Sequence, residues 1–125
     1  MARCEQGYLC EVCGEEVEYI WQSALYLRYV IGWIEPELLH SSPERHILCE
    51  PALAQFIVDP EFPQVVVEGP FDKRHLDPQF VAAREELLTR GWRRLREVAG
   101  QDLPIIEYPL EEVRRAWELR QEGSP

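Results

Sequence analysis

Residues 10–14 are Cys-Glu-Val-Cys-Gly, and residues 46–49 are His-Ile-Leu-Cys. Each stretch carries two metal-ligating side chains with two residues between them, so that one tight turn can deliver both to the same ion. A structural zinc site takes four ligands in a tetrahedron, with bonds of about 2.0–2.3 Å. The two pairs therefore predict a zinc site made of three thiolates and one imidazole, from Cys10, Cys13, His46 and Cys49.

This local pattern resembles that of treble-clef zinc fingers over about residues 8–58. Those modules combine a Cys-x-x-Cys-Gly knuckle, intervening strands and a second ligand pair at the start of a helix. In this chain His46 stands where cysteine is commoner, and 32 residues separate the two pairs, which makes a longer middle segment. The resemblance implies a structural metal site but leaves the function open, because treble clefs serve many unrelated roles. No family is recognised for the whole chain.

The length and charge of the chain limit its class and its partners. A chain of 125 residues predicts a single domain over residues 1–125. The formal net charge is −10, and residues 1–60 hold ten acidic but only three basic residues. Such a field repels phosphate backbones and disfavours nucleic acid as a partner. No signal-peptide core and no apolar run of about 18 residues is present, so we expect a cytoplasmic protein with no membrane partner.

Cysteine pairs in a reducing compartment serve metal or redox chemistry rather than structural disulfides. A redox disulfide is the alternative at the first pair, but it predicts a thioredoxin-type strand and helix around the pair, and the acidic, turn-like flank fits this poorly.

Cys4 and His40 are spare candidates that could replace one of the four ligands. We expect backbone amides of the Gly14 turn, and of a helix after Cys49, to stabilise the thiolates, with Arg45 close to the sulfurs.

Signals for secondary structure within the zinc-binding module, residues 8–58, are mixed. Residues 17–21 favour a strand, and residues 45–49 are expected to be extended. Residues 25–31 fit a strand or a helix equally well, the helix having Ser23 as its N-cap and Gly32 just past its end. A helix is predicted to begin at Pro51, which would place Cys49 beside its N-terminus.

Residues 64–121 predict a strand followed by two helices. The strand is assigned to Val65–Val67, the clearest β signal in the chain. A long helix is predicted over Pro78–Ala99, capped by Asp77 and ended by Gly100, because its apolar residues recur close to every 3.6 positions. A last helix is predicted from Pro109, with an apolar stripe of Leu110, Val113 and Trp117.

The predicted fold class is therefore α+β. A small zinc-clamped N-terminal module, composed of a knuckle, short strands and a helix, is joined to a C-terminal part of one strand and two helices that packs against it. In this arrangement zinc is the only expected cofactor.

The leading functional hypothesis is a structural zinc site in a protein-interaction or regulatory module, with another protein as partner. Four protein ligands leave no coordination position open for a reacting water, which favours a structural over a catalytic zinc, while the question of an enzyme activity stays open. Four tryptophans also exceed what a small core needs to bury. They are Trp21, Trp33, Trp92 and Trp117.

Two alternatives remain. The stretch Arg90–Arg96 of the long helix holds four arginines, and three of them share a face that could meet phosphate groups of a nucleic acid. The loop Asp72–His75 follows the predicted strand and precedes the long helix, a place where catalytic groups often lie, so an enzyme site there is the second alternative.

Overall fold

A computed structural model describes the backbone of residues 9–122 and the side chains of residues 9–120. Four α-helices occur in this part of the chain: α1 (Ala24–Val30), α2 (Pro51–Ala54), α3 (Pro78–Ala99) and α4 (Glu111–Glu122). Short 3-10 turns lie between them, at Ile20–Gln22, Pro36–Leu38, Ile47–Cys49, Lys73–His75 and Ile105–Glu107. None of the described helices is both long and apolar enough to cross a membrane.

The predicted α+β class is wrong. The described residues contain no β-strand and no sheet, only two isolated antiparallel bridges, Leu9 with Glu16 and Ser23 with His46. Residues 65–67 lie in an irregular segment, because a β-favouring run forms a strand only where a partner strand satisfies its backbone, and the described chain provides none. The strand predicted at 17–21 gives way to the turn Ile20–Gln22, and the extended 45–49 segment contains the turn Ile47–Cys49.

The two possibilities left open for residues 25–31 are resolved in favour of the helix. The Ser23 hydroxyl accepts a hydrogen bond from the Tyr26 amide at 2.9 Å, which caps the N-terminus of α1. Gly32 follows the end of α1 with a φ of +90°, a backbone conformation that glycine adopts without strain. Six of the seven side chains of α1 are buried, so tertiary packing reinforces the cap.

The long helix is confirmed with its predicted bounds. The Asp77 carboxylate accepts from the Phe80 amide at 3.0 Å, Pro78 occupies the first helical position, and Gly100 forms the C-cap. Gly91 does not break α3, because α1 packs directly against that position. A Cβ atom built on Gly91 would lie 2.5 Å from Cγ2 of Ile31 and 3.1 Å from Cδ1 of Leu27. Glycine at position 91 thus sets the approach of the two helices.

The remaining elements pack around this helix pair. The predicted last helix is confirmed as α4, although it begins at Glu111 rather than at Pro109. Val113 of α4 lies against Gly32, and the Leu110 amide donates to the Val30 carbonyl at 3.0 Å. A single hydrophobic cluster includes residues from the turn Ile20–Gln22, α1, α2 and α3, together with Leu110 and Val113.

Candidate metal centre

The four predicted ligands are brought together. The ligand atoms of Cys10, Cys13, His46 and Cys49 all lie within 4.8 Å of one another, and this group could hold a metal ion. Cys10 is buried, Cys13 is exposed, and His46 and Cys49 are partly buried. None of the three cysteines is in a disulfide.

The first ligand pair lies on a tight turn that its own backbone closes. The Cys10 amide donates to the Glu15 carbonyl at 2.8 Å, and the Gly14 amide donates to the Cys10 carbonyl at 2.9 Å. Gly14 has a φ of +79°, in the left-handed region that glycine adopts without strain. This turn explains why a glycine directly follows the second cysteine.

The second ligand pair is joined to the first turn and to α1 by backbone hydrogen bonds. The Glu11 amide donates to the Glu44 carbonyl at 3.0 Å, and the Ala24 amide donates to the Arg45 carbonyl at 2.8 Å. The turn Ile47–Cys49 then carries the fourth ligand back toward the third, with Ile47 buried in the core. The metal centre is thus fixed to the helix pair through α1.

His46 is oriented by a backbone carbonyl outside the ligand set. Its Nε2 lies 3.0 Å from the carbonyl oxygen of Glu16. Because a carbonyl only accepts, Nε2 carries the proton, and the lone pair of Nδ1 is left free. Nδ1 lies 3.3 Å from Sγ of Cys13 and 3.8 Å from Sγ of Cys49, so it faces the other ligands. No sequence signal identifies Glu16 for this role, because it acts through its backbone.

Backbone amides surround the sulfur of Cys10. Val12 and His46 each donate to Sγ of Cys10 at 3.4 Å, and Glu15 donates to Sγ of Cys13 at 3.5 Å. Burial alone would raise the pKa of Cys10, but hydrogen bonds from the amides of Cys13, His46 and Val12 outweigh it and lower this pKa to about 6. The expected amide shell of the first turn is therefore present.

The expected contribution of a helix after Cys49 is absent from the described contacts. α2 has only four residues, its first residue Pro51 has no amide hydrogen, and the amides of Leu53 and Ala54 donate to the Glu50 carbonyl. Burial, followed by hydrogen bonding to the sulfurs of Cys10 and Cys13, raises the pKa of Cys49 to about 12. A bound metal ion would lower this pKa, since the sulfur of a coordinating thiol binds the ion as a thiolate and its proton is released to water.

Charged side chains around the cluster are paired. Arg45 forms ion pairs with Glu11 of the first turn and, at 3.5 Å, with Glu50 after the second pair, which ties the two ligand turns together. The buried Glu44 carboxylate accepts from the Ser23 hydroxyl at 2.6 Å and from the Arg45 amide at 3.1 Å. Burial raises the pKa of Glu44, and these hydrogen bonds oppose that shift.

The two nitrogen–sulfur separations at His46 suit a tetrahedral ion. Bonds of about 2.3 Å to sulfur and about 2.0 Å to nitrogen require a nitrogen–sulfur separation of about 3.5 Å. The two separations measured from His46, 3.3 and 3.8 Å, bracket that value. The spare candidate His40 is exposed and is not among the clustered ligands. Cys4 lies outside the described residues.

The loop Asp72–His75 uses its polar groups for internal contacts. The buried Asp72 carboxylate accepts from Arg74, at 2.6 Å from one Nη atom, and this contact holds the pKa of Asp72 down at about 2. Lys73 donates from Nζ to Glu85 at 2.7 Å and to the Gln55 carbonyl at 2.8 Å. These contacts fasten the loop to α3 and to the end of α2.

The arginines of α3 are also occupied. Arg90 pairs with Glu112 at 2.8 Å, Arg93 with Asp59 at 2.5 Å, and Arg94 with Glu97 at 2.6 Å. Arg96 lies 3.3 Å from Glu61. Most of these partners are distant in sequence, so the arginine run alone gives no sign that its charge is neutralised.

A groove adjoins the metal centre. This cavity of about 390 Å³ lies between the second ligand pair, residues 61–63 and α3. His46 and Cys49 border it, whereas Cys10 and Cys13 do not, so it is distinct from the space between the four ligands. The excess of tryptophans in the sequence does not by itself indicate this groove. Its walls are formed by Trp21, Gln22, His46, Ile47, Leu48, Cys49, Glu61, Phe62, Pro63, Trp92 and Arg96.

Comparison of the chain with protein-family models, with curated proteins and with solved structures finds no match.

Proposed function

We propose that Cys10, Cys13, His46 and Cys49 bind one structural zinc ion, and that the protein acts as a binding or regulatory module for another protein. The orientation of His46 is the observation that carries the metal assignment. Its Nε2 is committed to the Glu16 carbonyl, and its Nδ1 lies between two thiols at distances that suit one ion. In a surface turn that binds no metal, nothing would require the imidazole to donate from Nε2 to a carbonyl while its Nδ1 faces two thiols.

The donor set favours zinc and a structural role. Three thiolates are soft ligands, and together with one imidazole they suit tetrahedral zinc better than the hard cations magnesium or calcium. Four protein ligands fill the tetrahedron, whereas a catalytic zinc keeps one position for water or substrate. Free thiols at these positions also suit a reducing compartment, which supports the cytoplasm as the location.

Residues 8–58 are proposed to form a zinc-finger-like module whose middle segment differs from that of treble clefs. It shares with treble clefs the two ligand turns and a short helix after the second pair. Between the pairs, however, the chain forms α1 and 3-10 turns. The chain is further proposed to be one domain, because the hydrophobic cluster that includes α1 also includes α3 and residues of α4.

A protein partner is supported by three features. The four arginines between positions 90 and 96 are paired with carboxylates, which leaves little free positive charge on that stretch for a phosphate backbone. The polar residues of the Asp72–His75 loop hold one another and their neighbours. Apolar side chains are instead exposed beside the ligands, at Leu9, Val12 and Leu48.

Metal analysis of matched variants tests the zinc assignment. Wild-type protein and variants with Cys10→Ser, Cys13→Ser, His46→Ala or Cys49→Ser are purified with zinc present, and bound metal is measured per chain. We expect one zinc in the wild type and its loss or marked weakening in each variant. Cys4→Ser and His40→Ala are the controls, and both should keep one zinc. Retention of zinc by a ligand variant, or its loss in either control, would require a different ligand set.

A further inference from the structure

The groove beside the metal centre has the size and lining of a binding site. Its volume of about 390 Å³ falls within the range of about 300–1,000 Å³ typical of ligand sites. Three aromatic rings form its walls, from Trp21, Phe62 and Trp92. Phe62 meets Trp92 edge to face with ring centres 5.2 Å apart, and the indole Nε1 of Trp92 donates to the Trp21 carbonyl at 3.1 Å. The aromatic walls are therefore held in place before anything binds.

Arg96 supplies the positive charge of the groove, and its guanidinium already has partners. The Arg96 guanidinium lies over the rings of Trp21 and Trp92, 5.3 and 5.2 Å from their centres, and 3.3 Å from the Glu61 carboxylate. Within the lining Arg96 and Glu61 balance each other, while the chain as a whole carries a formal net charge of −10. Three thiolates around a divalent ion would add a net negative charge at the edge formed by Cys49. A ligand that enters the groove thus contacts apolar side chains on a protein of negative net charge.

We propose that this groove binds a peptide segment of a protein partner, in which an apolar or aromatic anchor residue is flanked by basic residues. The anchor side chain packs among Trp21, Phe62 and Trp92, and it extends the apolar surface of Leu48. A flanking lysine or arginine contacts the exposed Glu61 carboxylate at the rim, which it shares with Arg96. This inference rests on the proposed function, since the zinc-bound turn Ile47–Cys49 forms one wall of the groove.

Gln22 supplies a directional contact for the peptide backbone. Its side-chain oxygen accepts from the amides of Glu18 and Tyr19, both at 3.2 Å, which fixes the orientation of its amide group. The NH₂ group of the same side chain then serves as a donor to a peptide carbonyl at the groove. An acidic peptide would gain this contact as well, but it would meet Glu61 and the thiolate-rich edge with unfavourable charge.

Designed peptides test the proposal on the zinc-bound, full-length protein. Three ten-residue peptides are compared: one with a central Phe-Leu anchor flanked by lysine and glycine, one with the same anchor flanked by glutamate and glycine, and one with the lysine flanks but glycine in place of the anchor. Binding is measured by isothermal titration calorimetry at low and physiological salt. We expect the first peptide to bind at least about tenfold more tightly than the other two, a difference of about 1.4 kcal/mol.

Matched variants locate the binding. Leu48→Ser should weaken binding about tenfold, while Leu38→Ser, a change at a residue of nearly equal exposure outside the groove, should leave it unchanged (54% and 52% exposed). Glu61→Lys should weaken binding of the basic peptide, whereas Glu37→Lys, with the same change in net charge, should have a much smaller effect. Zinc content and circular dichroism of each variant confirm that the fold is intact.

Three results would overturn the proposal. They are equal binding of the acidic and basic peptides, no binding of any peptide by zinc-loaded protein, and equal loss of binding in the groove variants and their controls. A protein that holds one zinc but binds no peptide would refute the groove inference alone. A protein that holds no zinc would instead refute the function on which it rests.

Discussion

The Nε2 atom of His46 lies 3.0 Å from the carbonyl oxygen of Glu16, and this contact turns Nδ1 toward the thiols of Cys13 and Cys49. The relationship connects residues 30 positions apart in sequence. It links the backbone just after the first ligand turn to the third candidate ligand, so we expect folding of the N-terminal part and metal binding to depend on each other.

Two substitutions of His46 should show whether its side chain binds the metal or only fills space. We expect His46→Ala to lower zinc affinity by more than about 100-fold, the upper end of the loss seen when a partner that only orients a ligand is removed. His46→Cys should retain most of the affinity, because a thiolate can replace the imidazole in a tetrahedral site. Competition with a chromophoric chelator measures both values. Equal affinities for the alanine and cysteine variants would show that residue 46 is not a ligand.

Ser23 should contribute strongly to stability, because it caps α1 and also donates to the buried Glu44 carboxylate. Ser23→Ala removes a cap worth about 1 kcal/mol and leaves a buried acceptor with one partner fewer, at a cost of about 1–3 kcal/mol. We therefore expect the free energy of unfolding to fall by about 2–4 kcal/mol in urea denaturation.

Ser41→Ala is the matched control for this change. Ser41 is exposed, and its hydroxyl donates to the Leu38 carbonyl at 3.3 Å. Its loss should change stability by less than about 0.5 kcal/mol. A Ser23→Ala variant as stable as this control would refute the assigned role of Ser23.

Gly91→Ala should destabilise the protein although alanine favours helix formation. The new methyl group would lie 2.5 Å from Cγ2 of Ile31, so the buried contact between α1 and α3 must shift. Overpacking costs about 1–3 kcal/mol, while the gain in helix propensity is at most about 1 kcal/mol. We expect a net loss of about 1–2 kcal/mol in thermal or urea unfolding.

Gly100→Ala controls for the change of residue type. A Cβ atom at Gly100 meets no atom within 4 Å, and its φ of −97° is accessible to any residue. This variant should unfold within about 0.5 kcal/mol of the wild type. A stabilised Gly91→Ala protein would mean that α1 and α3 do not approach as closely as described.

The helical elements could be predicted where the signals were local. Asp77, Pro78 and Gly100 act within their own helix ends, and the bounds of α3 follow from them. Likewise, the two-residue gap within each ligand pair is a local constraint, so the metal cluster could be predicted although its members lie far apart in sequence.

Features that depend on long-range pairing could not be predicted. Residues 65–67 favour a strand, but strand formation requires a neighbouring strand that this fold lacks in its described part. The arginines of α3 suggested a basic face, yet Asp59, Glu61 and Glu112 neutralise it from other segments. The groove arises only when Trp21, Phe62 and Trp92 converge from three separate parts of the chain.

Metal removal should destabilise the whole chain rather than the N-terminal part alone, because the two parts share one hydrophobic cluster. Binding of structural zinc is worth about 10–16 kcal/mol in small modules, comparable with the entire stability of a typical domain. We expect a chelator to lower the melting temperature by more than about 10 °C, with the loss seen by both near- and far-ultraviolet circular dichroism. The Cys10→Ser variant should show no response to chelator. An unchanged melting temperature in the wild type would contradict the structural role.

Zinc X-ray absorption spectroscopy of the purified wild-type protein identifies the metal and its ligand atoms in one experiment. We expect one four-coordinate zinc, with three sulfur atoms at about 2.3 Å and one nitrogen at about 2.0 Å. A sample that contains no zinc, or a zinc with fewer than three sulfurs and an oxygen in their place, would contradict this expectation.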